Sequence, residues 1–361
     1  MLPALAYTSD DVFGWERRHL LAGSWVCLGR EDELRRSDDD RLLTQRGVMA
    51  GDVSVLLTFP PDGEVLALAN TCRHRGHEIV PVGSAGARQA LLCPYHAWNY
   101  ALDGSLRKAP GFDSVAGFAP ADHGLVPLPV AVWHGWVFVN STADGPPFAD
   151  HVGALGSLVA QYRPETLVHR ARHRYEVAAN WKVIVENYHE CYHCPLIHPE
   201  LCQVSPPTSG ANFDLPGAWV GGSMDLRDGA VTMSLSGEPA ATPIEGVDPR
   251  VVLYLGLFPN LLISLHPDYV MTHLLTPVTP ALTAVECSWY FVEADADPSY
   301  AVDFWDLTNR QDWAACESVQ RGLASPHFRP GPFAPNEDAV HVWVAMIARA
   351  YQGIPPHVIA R

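Results

Sequence analysis

No stretch of this chain is both apolar and long enough to cross a bilayer. The best run, Val251 to Leu265, is broken by Pro259 and falls short of the roughly 18 residues that a span needs. The opening Met1-Leu-Pro-Ala-Leu-Ala-Tyr7 leads into neither a charged segment nor an apolar targeting core, so a reducing cytoplasm is the expected location. Basic residues are scarce. There are 24 Lys and Arg against 40 Asp and Glu, for a formal charge of −16. A surface of that sign repels phosphate backbones and anionic lipid, which excludes nucleic acid and membrane as partners and favours cations over polyanions as ligands. Eight cysteines in 361 residues are too few for a disulfide scaffold. Repeats and low-complexity tracts are missing too. With charged residues at only 18% and aromatics at 10%, the composition is that of a packed globular protein large enough for two ordinary cores.

Two short segments stand out, Cys72-Arg-His74 and Cys93-Pro-Tyr-His96. Each offers one thiolate and one imidazole, and eighteen residues lie between His74 and Cys93, a spacing that suits two loops closing on one metal centre. Two Cys and two His can hold a tetrahedral zinc or a [2Fe-2S] cluster with both His on one iron. Short zinc modules keep like ligands together, whereas here Cys and His alternate, which suits the cluster. His77 falls outside the pattern and is read as a neighbouring or surface residue. Both loops lie in a stretch of short β-rich runs, such as Val53 to Phe59 and Val65 to Ala69, punctuated by Pro60-Pro-Asp-Gly63 and Asp103-Gly104. Trp133 to Val139 reads as the closing strand of that region, and residues 8–30 as helical.

A second dense segment runs from Asn180 to His198. Asn180 is a good N-cap, and Trp181, Ile184, Val185 and Tyr188 form an apolar stripe at helical spacing. Asn187, Glu190 and His193 fall on one face if the helix continues, and Pro195 then ends it near Cys194, letting His198 fold back beside His193. Cys191 and Cys194 are read as packing residues. Two His need an anionic third ligand to hold iron with open positions. A long helix is expected over 298–323. Its stripe Trp305, Thr308, Asp312, Ala315, Cys316, Val319, Leu323 contains one charge, Asp312, whereas Asp306 falls on a wet face with Asn309, Arg310, Trp313, Glu317 and Arg321. A lone buried carboxylate is costly unless it is paired or binds metal, so Asp312 is the expected third ligand.

With these residues in view, the chain resembles the catalytic α subunits of Rieske non-haem iron oxygenases over nearly its whole length. The anchors are Cys72, His74, Cys93, His96, Asn180-Trp-Lys182, Glu186-Asn187, Glu190, His193 and His198. Further stretches, Leu257 to Tyr269 and Trp305 to Gly322, resemble the glycine betaine, choline and stachydrine branch. The resemblance implies an α+β fold in which a β-rich Rieske domain is joined to a catalytic domain with an antiparallel sheet and helices. The expected boundaries are 1–40 for an N-terminal helical segment packing on the catalytic domain, 41–142 for the Rieske domain and 148–361 for the catalytic domain. It implies a [2Fe-2S] cluster on Cys72, His74, Cys93 and His96, and Fe(II) on His193, His198 and Asp312. Glu190 would link a cluster His of one subunit to an iron ligand of the next in a homotrimer, and Asn187 would orient the site or a water. Electrons would come from an NAD(P)H-dependent flavin/iron-sulfur reductase, with or without a ferredoxin, and O2 would hydroxylate or N-demethylate a small organic substrate such as a quaternary amine. Attack on an aromatic or natural-product ring is the alternative, and a zinc-binding or electron-transfer protein is the non-enzymatic one. An ammonium pocket would need aromatic faces, for which Tyr254, Phe258, Trp219 and Tyr269 are candidates.

Overall fold

Alternating apolar residues and frequent turns give the first third of the chain a set of short strands. The computed structural model describes residues 1–37, 39–61 and 63–356. The chain divides into two compact units, Trp15–Gly145 and a second made of Met1–Gly14 with Pro146–Arg361.

The first unit holds three antiparallel sheets of three, five and three strands. Gln45–Ala50, Val53–Thr58 and Leu66–Ala69 are neighbours in the five-stranded sheet, and Val55, Leu56 and Leu57 are wholly buried there. The expected closing strand is a hairpin instead. Val130–Trp133 pairs with Trp136–Val139 through His134 and Gly135, whose φ values of 48° and 86° supply the left-handed turn that a two-residue hairpin loop requires. The helical reading of 8–30 is also corrected. Helix covers Asp10–Glu16 and a π-turn covers Arg17–Leu21, but Val26–Arg30 is a strand that pairs with Trp136–Val139. Val26 and Cys27 are buried in that sheet, so tertiary pairing overrides the helical pattern.

The second unit is built on a seven-stranded antiparallel sheet. Its order is Val168–Val177, Leu282–Phe291, Tyr269–Thr279, Leu261–Leu265, Val251–Leu257, Trp219–Asp225 and Ala211–Asn212. Three helices matter for the site: α1 (Trp181–Tyr188), α2 (Ser299–Leu323) and α3 (Asp338–Ala350). Residues 1–14 group with this unit because Tyr7 is buried in it. The Tyr7 hydroxyl donates to Glu186 Oε1 at 2.7 Å, and the Tyr7 carbonyl accepts from Asn180 Nδ2 at 3.1 Å and Gln320 Nε2 at 3.3 Å. The Asn180-Trp-Lys182 motif therefore acts as a packing device. Asn180 caps α1 by accepting the Lys182 N–H at 3.1 Å, and the fully buried Lys182 ammonium lies over the Tyr7 and Trp181 rings. Burial pushes the Glu186 carboxyl up to about 7 against the opposing pull of the Tyr7 bond and the Lys182 charge.

Candidate metal centres

The two Cys/His loops fold as matching turns. In one, the Cys72 N–H donates to the His77 carbonyl and the Gly76 N–H to the Cys72 carbonyl, both at 2.9 Å. In the other, the Cys93 N–H donates to the Trp98 carbonyl at 2.9 Å and the Ala97 N–H to the Cys93 carbonyl at 3.1 Å. Gly76 (φ 73°) and Ala97 (φ 56°) each stand four residues after their Cys in left-handed backbone. Both thiols are buried, and the His74 and His96 rings lie 4.5 Å apart. His74 stacks on Trp98 with the planes 5° from parallel, which fixes its orientation, and its Nδ1 is buried without a hydrogen-bond partner. Burial, with Cys72 alongside, raises the Cys93 thiol above its ordinary range. An orphaned imidazole nitrogen beside two buried thiols fits a cluster that would hold both sulfurs as thiolates. The Tyr100 hydroxyl lies 3.3 Å from Cys72 Sγ, the kind of contact that tunes a cluster's potential. His77 is exposed, with Nδ1 on the Glu78 carbonyl.

In the second unit, α1 stops at Tyr188, several residues before the expected end. Pro195 does not end that helix. It opens a new short turn, Cys194–Ile197. Glu190 and His193 meet through an irregular loop and not along a helix face. Glu190 accepts the backbone N–H groups of Tyr192 and His193, and its Oε1 lies 2.6 Å from His193 Nδ1. His198 then folds back so that the two Nε2 atoms are 3.1 Å apart. Asp312 Oδ1 sits 2.8 Å from His198 Nε2 and 3.3 Å from His193 Nε2. Asp306 is elsewhere, accepting from Tyr175 at 2.6 Å and from Arg310 Nε at 2.8 Å.

The face assignment on α2 needs correction. Val319 is exposed, whereas Asn309 and Trp313, assigned to the wet side, are buried. Asn309 accepts from His273 Nε2 at 3.0 Å, because the helix packs a second face on the sheet.

The charge pattern of this cluster suits a cation. Burial pulls the His193 imidazole down, but Asp312 and Glu190 outweigh it and raise it to about 9. Burial likewise pushes Asp312 up, yet His193 and His198 hold it below the usual carboxylate range. A divalent metal would displace that stored proton. The Nδ1 of His193 faces Glu190, and the Nδ1 of His198 donates to Gln311 Oε1 at 2.7 Å. Both rings therefore turn Nε2 towards Asp312, as metal-binding imidazoles do. Two His and one carboxylate with both Nδ1 protons held could hold iron and leave positions open. Gln311 escaped the sequence reading; its one signal was its place beside Asp312. Cys191 and Cys194, taken as packing residues, are joined as a disulfide across the loop carrying His193.

The Rieske [2Fe-2S] domain family matches residues 24–119, and the ring-hydroxylating alpha subunit catalytic-domain family matches residues 164–353, more than half of the chain. The chain belongs to the Rieske ring-hydroxylating oxygenases. It is 30% identical to the glycine betaine monooxygenase oxygenase subunit of Chromohalobacter salexigens, covering 92% of this chain and 81% of that one. It is also 30% identical to the carnitine monooxygenase oxygenase subunit of Escherichia coli K12, covering 91% and 85%. The crystal structure of the quaternary ammonium Rieske monooxygenase CntA in complex with L-carnitine superposes with a TM-score of 0.77 at 25% identity over 97% of this chain and 95% of that one. As a Rieske oxygenase the chain is an enzyme of the [2Fe-2S] and non-haem iron class, and the α+β expectation agrees with its sheets and helices.

In this oxygenase the His193, His198 and Asp312 cluster lies at the wall of a cavity of about 390 Å³. Asn187 lines it, as do Glu190 and both disulfide cysteines. Of the four aromatic candidates only Tyr254 reaches the cavity. Trp219, Phe258 and Tyr269 are buried in the core, and further aromatic rings on the lining are Trp305 and Tyr188, each 6.1 Å from Tyr254 between ring centroids. No helix among the described residues is long and apolar enough to cross a membrane.

Proposed function

We propose that this protein is the oxygenase component that hydroxylates or N-demethylates a quaternary ammonium compound, drawing electrons from an NAD(P)H-dependent flavin/iron-sulfur reductase, with or without a ferredoxin. The observation that carries the reading is the convergence of His193, His198 and Asp312 on an aromatic-walled cavity, in a chain similar to glycine betaine and carnitine oxygenase subunits. Cys72, His74, Cys93 and His96 would hold the [2Fe-2S] cluster, and His193, His198 and Asp312 the Fe(II). When bound, the cluster supplies electrons one at a time and the iron supplies O2 activation.

The chain's own residues do the rest. Glu190 and Gln311 keep the Nδ1 protons of His193 and His198, which leaves each Nε2 lone pair for the metal. Asp312 supplies the anionic donor. Glu190, a carboxylate on an iron-ligand imidazole, is positioned to couple that site to the cluster of a neighbouring subunit in a homotrimer. Asn187 orients the site from the cavity wall. We place the protein in the cytoplasm, where the thiols of Cys72 and Cys93 would stay reduced until they take up a cluster and the Cys191–Cys194 pair would be a dithiol. A substrate-stimulated O2-uptake screen with a generic reductase, followed by mass analysis, tests the reading. An ammonium compound should stimulate uptake and gain an oxygen or lose a methyl as formaldehyde. Stimulation by aromatic hydrocarbons alone would overturn it.

A further inference from the structure

Apart from its histidines, the cavity's ionisable side chains at either charge extreme are all acidic. Glu190, Asp312 and Asp338 line it, and among the described residues no Lys or Arg does. A divalent metal on His193, His198 and Asp312 would cancel Asp312 and Glu190 together, which leaves Asp338 as the uncompensated charge. Asp338 is exposed and pairs with Asn212 Nδ2, and with Asn336 and Pro335 it lines the outer part of the cavity. It is the first residue of α3, so its carboxylate occupies the helix end that would otherwise attract an anion. On the wall, Tyr254 and Trp305 present ring faces at right angles to within 20°, with an interplanar angle of 70°. The Tyr254 hydroxyl is buried without a partner, so the residue offers the cavity its ring rather than its oxygen.

We infer that this cavity selects a substrate that carries an ammonium cation and no carboxylate. The inference rests on the oxygenase reading above and narrows its substrate class. Ring faces and Asp338 attract the cation. With the metal bound, a carboxylate on the same molecule would be desolvated in a cavity with no Lys or Arg among the described residues to receive it, next to a residue of its own sign. Zwitterions such as glycine betaine and carnitine, which name the relatives' activities, are on this argument poor ligands here, whereas an amino alcohol brings the same cation without the carboxylate.

Calorimetric titration of the holoenzyme at low ionic strength, with three probes of similar size, tests this. Choline carries the cation alone, glycine betaine adds the carboxylate, and 3,3-dimethylbutan-1-ol is the uncharged shape of choline. Choline should bind at least about tenfold more tightly than either of the others. Asp338→Lys should reverse the order of choline and glycine betaine, and Asp338→Asn, the milder change, should narrow the gap. Glycine betaine binding as tightly as choline would overturn the inference, and if glycine betaine then stimulates O2 uptake the ammonium-oxidising reading stands without it. A neutral alcohol that matches choline would overturn the inference, and with no ammonium compound stimulating uptake the wider reading falls as well. No heat from any probe overturns the inference too.

Discussion

The two candidate donor sets of this oxygenase are built in opposite ways. Each cluster loop is closed by its own backbone: a Cys carbonyl accepts from the residue four further on, and a Cys N–H donates to a carbonyl five further on. Such a loop needs only its own residues and a floor to sit on, which the buried Trp98 and Tyr100 provide. The His193, His198 and Asp312 set joins a loop to a helix more than a hundred residues later, and its imidazoles are held by Glu190 and by Gln311 from opposite sides. The first arrangement is local and repeats a pattern. The second exists only when α2 is docked, so it is the one that distant changes should damage.

The sharpest break of that comparison is Asp312→Ala. Removing the one anionic donor should abolish mononuclear iron binding, with O2 uptake falling at least about a hundredfold, while the cluster's visible spectrum and its sulfide content stay unchanged. Asp306→Ala on the same helix should keep the iron, since Asp306 is engaged by Tyr175 and Arg310. Iron-to-sulfide ratios of the two variants decide it, and iron lost from Asp306→Ala but kept in Asp312→Ala would reverse the assignment.

Gln311→Ala sharpens the comparison at a lower level. It leaves His193, His198 and Asp312 in place and removes the acceptor on His198 Nδ1, together with the 3.3 Å bond that Gln311 Nε2 donates to Glu200. Iron affinity should drop by roughly 10- to 100-fold in a chelator competition, and Gln311→Glu, which keeps an acceptor, should recover most of it. A variant indistinguishable from the parent would mean that His198 is oriented by packing alone.

The smallest expected effect concerns pH. His266 is fully buried with neither ring nitrogen bonded, and burial pulls its pKa down to about 3. The unfolded chain would bind a proton near pH 6.5, and the folded one would not. Its contribution is therefore neutral above about 6.5 and increasingly destabilising as pH falls from there towards 3, on the order of 2 kcal/mol by pH 5. His266→Phe should flatten the acid side of a plot of thermal midpoint against pH. An unchanged slope would show that other groups, such as His189, likewise buried and held near 3, set the acid limit.

How much of this could be read in advance follows from the range of the interactions. Cys72, His74, Cys93 and His96 could be named as candidate cluster ligands because spacing within a turn is a sequence property. His193 and Asp312 were named by helical phase, and the structure brings both together, although by a different route for His193. The loop after Tyr188 does the work that a longer helix was expected to do. The same phase argument misplaced Asn309, Trp313 and Val319, because it assumed one buried face for a helix that buries two. Trp219, Phe258 and Tyr269 looked like a pocket because aromatic residues signal burial of any kind. Which of them faces a cavity depends on strand register.

By itself, the sequence determined the interleaved donors, the apolar periods and the excess of acid, since these are set by the order of residues along the chain. The tertiary structure alone decided that Val26–Arg30 pairs as a strand, that Gln311 holds His198, and that a cavity walled by Tyr254 and Trp305 carries Asp338 and no Lys or Arg among the described residues. Each of these depends on groups far apart in sequence meeting in a packed interior, where burial and the pairing of polar atoms outweigh local preference.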